Sequence, residues 1–214
     1  MSETTTKKRK LALPVVIAGG VSSLVLALGM TPTFSAFSAS IQNTANTAGT
    51  GTLIMEEKNS GGTVTCLSTS GGSINTNAAT CATINKYGGD LAMVPNETAT
   101  TTITIKNTGT VEASSFSFTP GACTQSANGT VNGSAMDLCA QTTVTITANG
   151  QPVYSGTATA LGSAGTINML TKLGAASIPA GTTTTVVFTV KVGAVGNTYQ
   201  GLQISQPMTW AYGA

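Results

Sequence analysis

The sequence lacks histidine entirely, and its only arginine is Arg9. The absence of histidine excludes Ser-His-Asp triads, Cys-His dyads and zinc sites of the His-Glu-x-x-His type. The absence of arginine beyond residue 9 argues against a nucleic-acid partner, because phosphate binding requires clustered Arg and Lys. We therefore expect a protein that is not an enzyme, does not bind nucleic acid and uses no cofactor.

Charged residues are also scarce, at 7% of the 214 residues, against about 25% in a typical globular protein. Beyond residue 35, five lysines and six acidic residues remain, which gives a net charge of −1. Hydrophobic residues make up 41% and suffice for a core, and the polar remainder is mostly Thr, Ser, Asn and Gly. Threonine favours strands, whereas Asn and Gly favour turns. This composition favours an all-β fold.

The N-terminal residues have the order of a secretory signal peptide. Four basic residues at 7–10 precede an apolar run at 11–30, and small residues then lead to Ser35 and Ala36. A basic region, an apolar run and a small-residue cleavage site are typical of such peptides. The pattern predicts a signal peptide at 1–35, cut between Ser35 and Ala36 by a signal peptidase.

Two alternatives to this cleavage remain open. One is cleavage before Ala39, and the other is retention of the run as a membrane anchor, since about 20 apolar residues can span a bilayer. We favour cleavage because the run is rich in glycine and a small-residue site follows it. The mature protein is then expected to be secreted, without a stable membrane span, into an extracellular matrix or onto the cell surface.

The sequence has four cysteines, at positions 66, 81, 123 and 139. An even number in an exported chain indicates two disulfides, for which three pairings exist. The sequential pairs Cys66–Cys81 and Cys123–Cys139 are favoured because each encloses a short loop rich in Gly, Ser and Asn. Closing such a loop stabilises the fold by roughly 3 kcal/mol. A four-cysteine zinc site is disfavoured because no Cys-x-x-Cys spacing occurs, and we predict no metal.

Alternating apolar and polar residues predict about eight short strands without α/β alternation. The strongest are 100–106, with Ile103 and Ile105 facing inward, and 183–192. Asn149-Gly150 predicts a hairpin turn, and Pro152 predicts that the next strand lies at a sheet edge. The other predicted strands are 51–55, 91–94, 115–118, 142–147, 152–154 and 202–212, with a short helical turn within 161–173. We therefore predict one domain over 51–214, a two-sheet jelly-roll-like β-sandwich.

Other polar and aromatic residues have a functional and a structural interpretation. Glu56, Glu57 and Asp90 are candidates for a cation site, but a solvated strand end is favoured. Residues 197–201 predict a tight turn rather than a site. Tyr154, Tyr199 and Trp210 are interpreted as core or rim aromatics rather than a sugar-binding platform.

Three segments together resemble the TasA/camelysin family of exported bacterial matrix proteins, which is similar in turn to some archaeal bundling pilins. The first is Thr-Phe-Ser-Ala-Phe-Ser at 33–38, followed by Gly-Thr-Leu at 51–53. The second is the strand and Lys-Asn-Thr-Gly turn at 103–109, and the third combines Pro-Ala-Gly at 179–181 with Asn-Thr-Tyr-Gln-Gly at 197–201. The resemblance implies a jelly-roll subunit, a dedicated signal peptidase and fibres built by donor-strand exchange. Some members are described as metalloproteases, an activity that a chain without histidine is not expected to share.

The segment that follows the predicted cleavage site supports the same expectation on physical grounds. Its alternation places Phe37, Ala39 and Ile41 on one side and Ser38 and Ser40 on the other, and a polar connector follows at 42–50. The apolar side would be exposed unless it docks, and adding it as a strand to an open sheet edge buries it. We predict that Ala36 to Ile41 is a donor strand for a second copy of the chain, because such head-to-tail contacts generate a homopolymeric filament. The alternative for this segment is that it folds back into its own domain. The alternative function is that of a monomeric cell-surface or adhesion domain that binds a ligand through the disulfide-stapled loops.

Overall fold

Strands dominate the part of the chain that the structure describes, which in this computed structural model is residues 47–71, 77–130 and 133–214. The strands are β1 (Met55–Asn59), β2 (Thr65–Leu67), β3 (Thr98–Asn107), β4 (Ser115–Pro120), β5 (Thr124–Ala127), β6 (Thr142–Ala148), β7 (Gln151–Thr157), β8 (Ile167–Asn168), β9 (Thr183–Val192), β10 (Leu202–Ser205) and β11 (Met208–Gly213). Three short helices, α1 (Leu138–Gln141), α2 (Ala158–Gly162) and α3 (Met169–Leu173), and two 3₁₀ turns (Ser68–Gly71 and Asn197–Tyr199) complete it. The predicted all-β class is confirmed.

The first layer is a six-stranded antiparallel sheet in the order β2-β1-β3-β9-β6-β7. Its central pair, β3 and β9, has ten residues in each strand. Period-two alternation sends every second side chain of these strands inward. Ile103 and Ile105 on β3, and Val186 and Phe188 on β9, are completely buried. The inward face predicted for β3 is therefore confirmed.

The second layer is built from two long, interrupted strands. β4 continues into β5 after a break at 121–123, and β10 continues into β11 after a break at 206–207. β11 pairs with β4, and β10 pairs with β5, all antiparallel. The Gly121 N–H donates to the Pro207 carbonyl at 2.8 Å across the break, so the two pairs form one bent ribbon. β8 completes this layer on the outer side of β4.

Aromatic contacts join the two layers into a sandwich-like core. Phe118 on β4 stacks on Trp210 of β11 with ring centroids 4.3 Å apart. Both rings meet Phe188 of the first layer edge-on, at 6.3 and 6.4 Å. Phe116 and Phe118 are buried, as predicted from their alternation. Such edge-to-face pairs contribute about 0.5–1.5 kcal/mol beyond the area they bury.

Local signals for the hairpin and the helices are also confirmed. Asn149 and Gly150 both have positive φ, 48° and 80°, as a type I′ hairpin turn requires. This turn joins β6 to β7, which lies at the edge of the six-stranded sheet as Pro152 predicts. Within 161–173, Asn168 caps the N-terminus of α3 by accepting a hydrogen bond from the Thr171 N–H at 3.1 Å.

Several strand predictions were wrong. Residues 91–94 form no strand, because this short apolar run ends at Pro95 and has no partner strand, and Leu91 and Val94 are exposed. Residues 51–54 precede β1 outside the sheet, and the carbonyls of Thr52 and Ile54 instead accept backbone hydrogen bonds from N–H groups of 108–111. β5 lies within the loop predicted between Cys123 and Cys139. The strands β5, β2 and β8 were missed because they have only four, three and two residues, respectively.

Residues 50–214 form one compact unit, and of the residues before it only 47–49 are described. The predicted signal peptide, its cleavage site and the donor segment lie outside the described residues. In the described ranges, no helix is long and apolar enough to cross a membrane.

Candidate functional site: an apolar groove beside the last strand

The edge formed by β10 and β11 is paired on one side only. β10 pairs with β5 and β11 with β4, and among the described residues no strand pairs with their outer side. In an antiparallel strand, successive backbone N–H and C=O groups point alternately to the two sides. The outer side of β10 and β11 therefore presents groups to which another strand can hydrogen-bond.

A groove with a volume of about 930 Å³ lies along this edge, where the first layer faces β10 and β11. We call it the β11 groove. Its first wall comes from β1, β2 and the segment 77–93, and its second wall comes from β10 and β11. The apolar side chains that line it include Leu53, Met55, Leu67, Ile84, Leu91, Met93, Leu138, Val190, Val192, Val195, Leu202, Ile204, Pro207, Met208 and Trp210.

The second wall presents a regular inward stripe. Met208, Trp210 and Tyr212 alternate with the exposed Thr209 and Ala211 along β11. Tyr212 meets Phe116 edge-on at 4.8 Å, so the core fixes the position of the stripe from behind. A strand inserted beside β11 would place its own alternate side chains against this stripe.

Two polar atoms of this wall are buried without a hydrogen-bond partner in the described part of the chain. They are the indole Nε1 of Trp210 and the hydroxyl of Tyr212. Burial also raises the pKa of Tyr212 above its ordinary value. Buried polar groups are usually hydrogen-bonded, so an occupant that brings carbonyl or hydroxyl oxygens would complete this wall.

A disulfide attaches the segment 77–93 to the first layer. Cys66 on β2 is bonded to Cys81, with Cα atoms 6.1 Å apart, and both residues line the β11 groove. Cys123 is bonded to Cys139 and links the start of β5 to α1, and neither residue lines the groove. The structure thus has the sequential pairing favoured from the sequence. Disulfides persist in oxidising compartments, which fits a non-reducing environment.

An ion pair provides a second attachment. Lys86 Nζ lies 2.6 Å from Glu57 Oε1, and each side chain keeps only 10% of its surface exposed. Glu57 is the central residue of β1, so the pair joins the segment to the middle of a sheet strand. A shielded pair of this kind fixes relative position, because breaking it leaves a buried charge.

A hydrogen-bond network provides the third attachment and reaches the second wall. The Tyr87 hydroxyl donates to Gln206 Oε1. The Gln206 side-chain amide donates to the carbonyls of Gly121 and Ala158 at 2.8 and 3.1 Å. Burial first, and the nearby Tyr154 second, raise the pKa of Tyr87 well above its ordinary value. Gln206 lies at the break between β10 and β11, so this network holds both walls of the groove together.

The acidic residues Glu56, Glu57 and Asp90 contact other parts of the chain rather than one another. Glu56 pairs with Lys58 at 3.0 Å, and Asp90 accepts a hydrogen bond from the Ala92 N–H. No group of three or more metal-ligating side chains occurs in the described ranges. The favoured interpretation of a solvated strand end was wrong for both glutamates, because Glu56 and Glu57 keep only 15% and 10% of their side chains exposed.

The turn at 197–201 and the aromatic residues Tyr154, Tyr199 and Trp210 make contacts within the fold. Residues 197–199 form a 3₁₀ turn, and the Tyr199 hydroxyl donates to Asp137 at 2.6 Å, which lowers the pKa of Asp137. The Tyr154 hydroxyl donates to the Thr157 carbonyl, and Trp210 belongs to the aromatic core and the groove. Ser35, Ala36 and the donor residues 37–41 lie outside the described residues.

Sequence reasoning missed the contacts that hold the first wall in place. Glu57, Lys86, Tyr87 and Gln206 come from three separate parts of the chain, and Tyr87 and Gln206 are 119 positions apart. The segment 77–93 has no periodic pattern that would predict burial. Its one usable signal was Cys81, because a disulfide to β2 requires this segment to pack on the first layer.

No protein-family model matches the sequence, and no curated protein is significantly similar to it.

Proposed function

We propose that this chain is a secreted, non-catalytic structural subunit that polymerises by donor-strand exchange into extracellular fibres. In this proposal, residues 36–41 of one copy occupy the β11 groove of the next. The observation that carries it is the combination of an unpaired strand edge with an apolar groove along that edge. The jelly-roll topology, cleavage by a signal peptidase, and location in a matrix or on the cell surface belong to the same proposal.

The donor segment and the groove match in length and pattern. The segment has six residues, and so does β11. Phe37, Ala39 and Ile41 alternate with serines, so one face of the inserted strand is apolar and meets the inward stripe of β11. Its backbone would pair with the outer side of β11, which is the recognition mode of β-strand addition.

The groove also favours a second candidate. A volume of about 930 Å³ lies within the range of small-ligand sites, about 300–1,000 Å³. A monomeric surface protein that binds an apolar ligand beside β11 would use the same walls. Its assembly state distinguishes it from a fibre subunit.

The decisive experiment compares the chain that starts at Ala36 with a chain that starts at residue 42. We expect filaments by negative-stain electron microscopy from the first and only monomers from the second. A matched pair of variants tests the pattern: Phe37→Ser/Ile41→Ser should abolish filaments, whereas Ser38→Ala/Ser40→Ala should retain them. If the shortened chain folds poorly, a synthetic peptide of residues 36–41 should restore its thermal stability. Filaments from the shortened chain, or monomers from the longer one, would contradict the proposal.

A further inference from the structure

The compact unit has two opposite ends, which we call proximal and distal. At the proximal end the chain enters the unit, where the Thr108 and Thr110 N–H groups donate to the carbonyls of Ile54 and Thr52. β3 ends here at Asn107 after beginning at the distal end. The distal end consists of the loops 88–97, 133–137 and 193–201.

All three large hydrophobic side chains that are exposed in the described residues lie in the distal loops. Leu91, Val94 and Met136 keep 61%, 59% and 89% of their surfaces exposed. Scattered single apolar side chains are ordinary on protein surfaces, but their concentration at one end suggests an interaction face.

Hydrogen bonds hold the distal loops in place. The Asn128 side-chain amide donates to the Leu91 carbonyl at 2.7 Å. The Val94 N–H donates to the Glu97 carboxylate at 2.6 Å, and the Ala135 N–H donates to the Thr198 carbonyl at 3.0 Å. The loops that carry the apolar side chains are therefore already ordered, which lowers the conformational entropy lost on binding.

The length of the connector limits where a neighbouring copy can lie. Residues 42–50 are nine residues, which reach at most about 30 Å when fully extended. A ten-residue strand such as β9 is itself about 33 Å long. A connector that leaves the proximal end of one copy is therefore too short to run the whole length of a second unit. The copy that receives the donor must contact the proximal end of the copy that supplies it.

A donor can enter the β11 groove of its neighbour from the distal end, and growth into a filament decides between the two ends. Leu91, Val195 and Tyr199 of the distal loops line the groove together with Tyr212 near the proximal end of β11. The groove is thus continuous with the distal face. Contact between two proximal ends would give a closed pair, whereas contact between a proximal and a distal end continues indefinitely.

We infer that Leu91, Val94 and Met136 form the subunit contact face of the fibre, and that their partner is the proximal end of a second copy of this chain. This inference rests on the proposed function, because it needs the donor strand to bring the two ends together. The face adds an apolar contact to the strand pairing in the groove. Each junction then joins one distal end to one proximal end, which gives the fibre a direction.

Methionine oxidation tests the inference on the unaltered chain. Met136 lies on the distal face outside the groove, Met55, Met93 and Met208 line the groove, and Met169 is fully buried. Peroxide oxidises accessible methionine to the sulfoxide, and mass spectrometry quantifies each site. On assembly we expect the oxidation rate of Met136 to fall about tenfold or more, together with those of the three groove methionines. Unchanged oxidation of Met136, with protection of the groove methionines, would overturn the inference and leave donor exchange intact.

A pair of double variants provides the second measurement. Val94→Glu/Met136→Glu places two charges on the distal face without touching groove-lining residues. Thr100→Glu/Thr145→Glu places two charges on exposed positions within strands β3 and β6, outside the distal loops. We expect only the first to raise the critical concentration for filaments, by about tenfold or more, while both shortened chains bind the 36–41 peptide with unchanged Kd. Equal critical concentrations would overturn the inference. Absence of filaments and of peptide binding from the unaltered chain would overturn the proposed function as well.

Discussion

Lys86 and Glu57 form a shielded ion pair, with Nζ and Oε1 2.6 Å apart, that joins the segment 77–93 to the centre of β1. From the sequence, Glu57 is a candidate only for a cation site, and no pattern links it to Lys86. The pair sets the distance between β1 and the segment 77–93 within the first wall of the β11 groove. Its contribution can be separated from that of the disulfide by substitution.

The first prediction concerns this pair. Lys86→Met leaves the Glu57 carboxylate buried without its partner, so the free energy of unfolding should fall by about 3–5 kcal/mol. The double variant Glu57→Leu/Lys86→Met replaces both charges with apolar groups of similar size and should recover most of this loss. Urea unfolding at neutral pH measures both. A double variant no more stable than Lys86→Met would show that the cost arises from packing rather than from the unpaired charge.

The period-two parts of the fold were predictable, and the site was predictable only in part. Ile103, Ile105, Phe116 and Phe118 were assigned to the core correctly because a strand alternates its faces. The contacts that build the first wall depend on tertiary proximity across the chain, which local pattern does not encode. Residues 91–94 show a false positive rather than a missed contact. Their apolar run predicted a strand, but it pairs with no other strand, and Leu91 and Val94 are exposed.

The second prediction separates the two disulfides. Cys66→Ser/Cys81→Ser and Cys123→Ser/Cys139→Ser each open a loop of similar length, 15 and 16 residues. Each should lower the free energy of unfolding by roughly 3 kcal/mol. Only the first releases a groove wall, so only it should weaken binding of the 36–41 peptide to the shortened chain. Fluorescence anisotropy with a labelled peptide measures the affinity, and equal losses in both variants would place the donor away from the β11 groove.

The third prediction concerns the Tyr212 hydroxyl, which is buried without a hydrogen-bond partner in the described ranges. Removing an unsatisfied buried polar group is nearly neutral or stabilising. Tyr212→Phe should therefore leave the free energy of unfolding of the monomeric shortened chain unchanged or raise it by up to about 1 kcal/mol. If the donor supplies the missing partner, the same variant should bind the 36–41 peptide more weakly. Tyr154→Phe is the control, because its hydroxyl donates to the Thr157 carbonyl and its loss should be destabilising without an effect on peptide affinity.

The fourth prediction concerns alkaline pH. Burial raises the pKa of Tyr87 and of Tyr212 in the folded chain, whereas an unfolded tyrosine titrates near pH 10. A raised folded-state pKa means that the unfolded state releases its proton first. The stabilising contribution is therefore complete below about pH 10 and is lost as pH rises above it. By pH 11 the free energy of unfolding should fall by about 1 kcal/mol for each of the two residues.

Urea unfolding at pH 8, 10 and 11 measures the slope, and the disulfides remain intact because every cysteine is paired. Tyr87→Phe should be less stable at pH 8, because Gln206 loses its donor, yet its stability should decline less between pH 10 and 11. Parallel declines in the parent chain, Tyr87→Phe and Tyr212→Phe would assign the alkaline loss to other groups, such as Tyr154 and Tyr199, whose pKa values are also raised.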